Sequence, residues 1–253
     1  IYALGDNGDV SMSDDHGAAI SWTKAVKSKV TDGWTIAVRN SDVLVGGRDG
    51  DVSYSDDGGD TFTKLEETSS IAGLVTVAFD SYFDTNNTIY AAVALGGYDN
   101  NGIYLWVIDE SEEWYKLAAY PYDYTGIVLD RPSPANPYTS PETGGVLYAS
   151  YVGWQDCEYN EYDWSETGVA RSLNPAETIE CLECVEWDYL NESNPESWLY
   201  DWEGLDSVGF EATPDALKIC GCLEATSNSR LFAIDSWWYY DMEDGEEGAV
   251  WTF

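Results

Sequence analysis

The chain has 253 residues and 44% hydrophobic content, enough to bury the core of one large all-β domain or two small ones and too apolar for wholesale disorder. Its formal charge is −36, from 47 Asp and Glu against 11 Lys and Arg, so it repels nucleic-acid phosphates and anionic lipid heads, and neither is an expected partner. No apolar run approaches the roughly 18 residues that a membrane helix needs, so no membrane insertion is expected.

The first element is a strand, Ile1-Tyr2-Ala3-Leu4. It runs into Gly5-Asp6-Asn7-Gly8-Asp9-Val10-Ser11-Met12-Ser13-Asp14-Asp15, which returns 42 residues later as Gly47-Arg48-Asp49-Gly50-Asp51-Val52-Ser53-Tyr54-Ser55-Asp56-Asp57. The match continues from Trp22-Thr23-Lys24 to Phe62-Thr63-Lys64 at an offset of 40, so the first copy carries two extra residues after Gly17. A repeat of about 40–45 residues is the length of one four-stranded propeller blade. Strand patterns over Trp34 to Arg39, Leu74 to Asp80 and Thr125 to Asp130 read as the inner strands of successive blades. Together, 12 Trp and 19 Tyr suit the half-buried pleated surface that such strands present.

Fainter copies follow along the chain. Val43-Leu44-Val45, Ile89-Tyr90-Ala91, Leu147-Tyr148-Ala149 and Leu231-Phe232-Ala233 repeat the opening strand at spacings of 42, 46, 58 and 84 residues. Five repeat starts are therefore visible, and the widening means that later blades carry insertions or that one blade is too degenerate to register. Residues 131–145 are a Pro-rich loop, and about 151–228 form an inserted region rich in Cys, Trp and acidic residues. No helix is predicted. The fold expected is all-β: one β-propeller of four-stranded antiparallel blades over 1–253. Both ends fall inside strand patterns, which gives the expectation of a longer or processed chain.

Ser55-Asp56-Asp57-Gly58-Gly59-Asp60-Thr61-Phe62 fits Ser-x-Asp-x-Gly-x-x-aromatic without a gap, and Ser13-Asp14-Asp15-His16-Gly17, followed by Trp22, fits it with the insertion. This resembles the Asp-box (BNR) repeat of sialidases, xyloglucanase-type hydrolases, sortilin-type receptors and photosystem assembly factors. Residues Val77 to Ala92 also resemble the inter-blade stretch of the xyloglucanase and sortilin group. The resemblance covers residues 1–117. It implies that Ser13, Asp15, Gly17, Trp22, Ser55, Asp57, Gly59 and Phe62 staple hairpins on the propeller rim, away from any active centre. Physically, Ser and Asp side chains accept turn amides, Gly supplies φ > 0, and the aromatic ring packs back between blades.

Chemistry is harder to place. A sialidase needs three arginines to clamp a carboxylate, and the chain has five Arg in all with no Arg-Ile-Pro signature. A xyloglucanase-type hydrolase needs two opposed carboxylates, which spacing cannot single out among 47 acids. The single His, His16, excludes histidine-based zinc or haem sites. The Cys181-x-x-Cys184 and Cys220-x-Cys222 pairs could hold a metal, or be disulfides of an oxidising compartment with Cys181–Cys222 and Cys184–Cys220 connectivity; the disulfide reading is favoured and leaves Cys157 over. Asn86-Asn87-Thr88 and Asn191-Glu192-Ser193 are sequons. No cofactor is expected, with clustered carboxylates offering Ca²⁺ as the one candidate ion.

The expectation for function is a non-catalytic extracellular or cell-surface module of the S-layer, sheath, filament or adhesin kind, partnered by other protein subunits or surface polysaccharide. The alternative is a xyloglucanase-type glycoside hydrolase or carbohydrate-binding propeller.

Overall fold

The computed structural model describes residues 1–66, 70–97, 99–117, 122–130, 140–152, 168–176, 185–189, 214–220, 230–235 and 250–252. Every sheet in it is an antiparallel meander, its strands hydrogen-bonded in chain order. The first sheet is β1 (Tyr2–Leu4), β2 (Asp9–Met12) and β3 (Val26–Lys27). The second is β4 (Gly33–Arg39), β5 (Asp42–Gly47), β6 (Val52–Ser55) and β7 (Thr63–Lys64). The third has β8 (Leu74–Phe79), a single helical turn α1 (Phe83–Asn86), then β9 (Thr88–Ala94), β10 (Gly102–Val107) and β11 (Tyr115–Lys116). The fourth holds β12 (Asp123–Leu129), β13 (Leu147–Val152), β14 (Gly168–Ser172) and β15 (Asp188–Tyr189). The fifth holds β16 (Pro214–Cys220), β17 (Arg230–Asp235) and β18 (Val250–Thr252).

These sheets are the blades of a β-propeller. The first strand of each four-stranded blade lies against the first strand of the next: β4 against β8, β8 against β12, β12 against β16. Side chains alternate between the two faces of each sheet, so each blade seals one core with its predecessor and another with its successor. Leu44, Val75, Val77, Ile89, Ala91 and Trp106 fill the junction of blades two and three. Tyr90, Ile103, Leu105, Tyr124, Ile127 and Leu147 fill that of blades three and four. Val10, Val30, Val43, Val45 and Phe62 fill that of blades one and two. Gly46 permits β5 to approach β8, since a Cβ there would sit 2.3 Å from the Val75 carbonyl oxygen.

The inner strands fall where the sequence patterns place them, shifted by one or two residues. The adjacency of β12 and β16 accounts for the 84-residue gap: the added length lies within blade four, between β13 and β14, and in its connection to blade five, between β15 and β16. The helical turn α1 departs from the expectation of no helix. Tyr82 and Phe83 bridge it to Asn86 and Asn87 through backbone bonds, and Asn87 ends it in the left-handed conformation at φ 52°. No helix among the described residues is long and apolar enough to cross a membrane.

Candidate functional site

The two serine-aspartate hairpins join the third and fourth strands of blades one and two. In blade two, Ser55 Oγ accepts from the Gly59 amide at 2.9 Å and donates to Asp57 Oδ1 at 2.8 Å. Asp57 in turn accepts from the Thr61 amide at 2.9 Å and from the Thr61 hydroxyl at 2.6 Å. Hydrogen bonds from the Thr61 side chain and backbone, then from Ser55, stabilise the carboxylate and hold the Asp57 pKa down at about 2. Gly58 and Gly59 take φ of 79° and 89°, and the Gly58 amide bonds Ser41 in the β4–β5 turn at 2.9 Å. Phe62 is buried between blades one and two.

The first copy solves the same turn differently. Ser13 Oγ accepts from the Gly17 amide at 2.9 Å, as Ser55 does from Gly59, and His16 adopts the left-handed φ that Gly58 has in blade two. Here the Ser13 hydroxyl is held by Ser21, which lies within the longer loop and reaches the Ala18 carbonyl at 2.9 Å. Ser21 thus fills the place of the second-copy aspartate, and Asp15 contributes its backbone carbonyl to Ala18. Trp22 pairs with Ser13 in a β-bridge and remains 36% exposed. Between the two copies lies a crevice of ≈ 30 Å³ lined by Met12, Lys24, Val26 and Gly59, among others. That volume admits water and no sugar ring.

A second cluster, unannounced by motif spacing, sits at the junction of blades two, three and four. Asp80 is fully buried. Its Oδ1 accepts from the Tyr82 amide at 2.7 Å and from Asn86 Nδ2 at 3.1 Å. Its Oδ2 accepts from the Tyr90 hydroxyl at 2.9 Å and from the Gly145 amide at 3.2 Å, across the blade boundary. Burial, followed by the Asp80 charge and hydrogen bond, raises the Tyr90 pKa well above its ordinary value and keeps the phenol a donor. Arg39 closes the cluster from blade two. One guanidinium nitrogen donates to the Asp80 and Ser81 carbonyls at 3.2 and 3.3 Å, while the others grip Asp84 at 2.8 and 3.3 Å. That grip lowers the Asp84 pKa. Asn86 spends both ends of its amide here, donating to Asp80 and Pro141 and accepting from Thr88, which opposes its use as a glycan acceptor.

Motif spacing points to the hairpin residues and gives no sign of the roles of Asp80 and Arg39. The available signal is the Val77–Ala92 stretch, whose family likeness assigns no role to its aspartate. Cys157, Cys181, Cys184 and Cys222 lie outside the described residues, as does the second sequon; Cys220 closes β16, and its side chain is likewise outside the description. Among the described residues no three His, Cys, Asp or Glu side chains converge as a metal site would require.

No family model matches the chain, and no curated protein matches it. Solved structures do. The computationally designed Ika8 protein is 12% identical with a TM-score of 0.46, matching 92% of this chain and 64% of its own. An ancestral GH74 enzyme is 13% identical with a TM-score of 0.41, matching 100% of this chain and 36% of its own. YCF48 from Cyanidioschyzon merolae is 13% identical with a TM-score of 0.37, matching 92% and 75%. The chain thus spans less than two thirds of the length of the first two.

Proposed function

We propose that the chain is a non-catalytic, acidic β-propeller that works at the cell surface or outside the cell as a scaffold or binding module, with other protein subunits or surface polysaccharide as partner. One observation carries the reading. Among the described residues, the Asp9, Asp57 and Asp84 carboxyl groups are held below the ordinary carboxylate range, by Lys27, by the Thr61 and Ser55 donors, and by Arg39 respectively. A glycosidase acid needs the reverse, a carboxyl held protonated by burial or a like-charged neighbour. Asp80, the buried carboxylate among the described residues, is spent on four donors, of which the Gly145 amide joins blade three to blade four. Acidic residues so placed act as tethers and solvated surface. The Asp-box likeness supports the same reading, because those hairpins staple the rim.

The secreted setting rests on the acidity and on the cysteine pattern. Calcium in this role bridges carboxylates of neighbouring molecules. The competing reading is a xyloglucanase-type hydrolase. Assays of the purified chain on xyloglucan, β-glucans and sialosides separate the two: no turnover is expected, and sustained turnover abolished by one Asp→Asn change would overturn the proposal.

A further inference from the structure

The chain has two Asn-Gly dipeptides, Asn7-Gly8 and Asn101-Gly102. This pairing is the one most open to attack on the side-chain amide by the next backbone nitrogen, because Gly puts no side chain in the way of the closing five-membered ring. The fold treats the two in opposite ways. Asn101 is 1% exposed. Its Oδ1 accepts from the Gly96 amide at 2.9 Å and its Nδ2 donates to Asp123 at 2.9 Å. Gly102 is fixed opposite Val93 in the β9–β10 ladder. The Asn101 amide cannot swing onto the Gly102 nitrogen while these bonds hold.

Asn7 lies exposed in the β1–β2 turn. Exposure belongs to the position: Asp49, 42 residues on in the matching turn of blade two, is exposed with blade one beside it. Asp9 holds the Asn7 amide at both ends. The Asp9 amide donates to Asn7 Oδ1 at 3.2 Å, and Asn7 Nδ2 donates to Asp9 Oδ2 at 3.0 Å. The first of these bonds polarises the side-chain carbonyl and supports the negative charge that gathers on Oδ1 as Cγ is attacked. In the closed turn the Gly8 amide donates to the Gly5 carbonyl at 2.9 Å. Attack therefore waits on the opening of that bond, and surface turns open at low free energy.

We propose that Asn7 is a self-modification site. The Gly8 nitrogen loses its proton and bonds to Asn7 Cγ, the Cγ–Nδ2 bond breaks, and Nδ2 takes up one proton and leaves as ammonia. Water then opens the resulting cyclic imide at one of its two carbonyl carbons, giving aspartate or isoaspartate. No electrons are exchanged with any other group.

The two products differ in what they do to the blade. Aspartate reproduces the second copy, where Asp49 stands two residues before Asp51, paired with Lys64 at 2.7 Å, as Asn7 stands before Asp9, paired with Lys27 at 2.7 Å. Isoaspartate adds a carbon to the backbone of the turn. Gly8, at φ 74°, accepts from the Ser28 amide at 3.1 Å and lies so close to Val30 that a Cβ would sit 1.9 Å from its carbonyl oxygen. A lengthened turn pushes Gly8 from that seat and loosens the segment that joins β3 to β4. The site marks aged molecules at the seam of blades one and two, whatever the chain binds.

The test is prolonged incubation of the purified 253-residue chain at mildly alkaline pH, followed by peptide mapping in a mass spectrometer, with electron-transfer fragmentation to separate isoaspartate from aspartate. In the folded chain Asn7 should convert at least about tenfold faster than Asn101, which opens only with its blade. In urea both should convert at similar rates. Asn7→Gln, which needs a larger ring, should abolish conversion at that position. Asn7→Asp should melt with the unmodified chain, and the isolated isoaspartate form should melt below both. Asn7 remaining intact in the folded chain after the unfolded chain has converted overturns the proposal. So does Asn101 converting as fast as Asn7 in the folded chain, and an isoaspartate form that melts with the unmodified chain removes the assigned effect on the seam. Mapping of the unmodified chain decides the first two outcomes even where a variant does not fold.

Discussion

At the scale of single residues, the second hairpin makes the sharpest statement. The folded Asp57 pKa of about 2 lies below its ordinary 3.8, so its contribution to stability is complete above 3.8 and disappears as pH falls through 2. Carboxyl-carbon NMR should show Asp57 titrating near 2, and Thr61→Val should move that midpoint upward by removing the hydroxyl donor. Ser55→Ala should cost about 1–3 kcal/mol in chemical denaturation, since the buried Gly59 amide loses its acceptor. The same change at Ser13 strands the Gly17 amide in a looser loop and should cost less.

At the scale of elements, Arg39 and Asp80 decide how blades join. Arg39 bonds two carbonyls and a carboxylate at once, a fork that Lys cannot reproduce. Arg39→Ala should destabilise by about 1–3 kcal/mol, because hydrogen bonds to a charged group are lost, and Arg39→Lys should rescue little; the Asp84 midpoint should rise in both. Tyr90→Phe keeps the ring in the core and removes one donor from buried Asp80. A cost of about 1–3 kcal/mol is expected, read from the denaturation midpoint. Gly46→Val should be worse than any of these, because its side chain would enter the space of the Val75 carbonyl at the blade junction.

At the scale of the whole molecule, the net charge of −36 opposes compactness. Salt shortens the Debye length from about 30 Å at 0.01 M to about 10 Å at 0.1 M, so the melting temperature should rise over that range. Calcium and magnesium at matched ionic strength should raise it equally if they act by screening. A calcium-specific rise at micromolar concentration would instead place a site in the chain and revise the reading of its carboxylates.

The repeat, the strands and the hairpin turns are legible in the residues alone. Those depend on local chemistry: alternating apolar residues, turn residues with φ > 0, and hydroxyl groups within reach of amides two to four residues away. A 42-residue self-match exposes them without coordinates. How distant residues meet is visible only in the folded chain. Asp80 gathers donors from residues 2 to 65 positions along, and Arg39 reaches its carboxylate 45 residues on. Nothing in local spacing distinguishes that aspartate among 47 acidic residues, because its role arises from desolvation and convergence at a junction between blades. Each strand is legible alone, but only stacking the blades shows which edge is paired and which apolar face is covered.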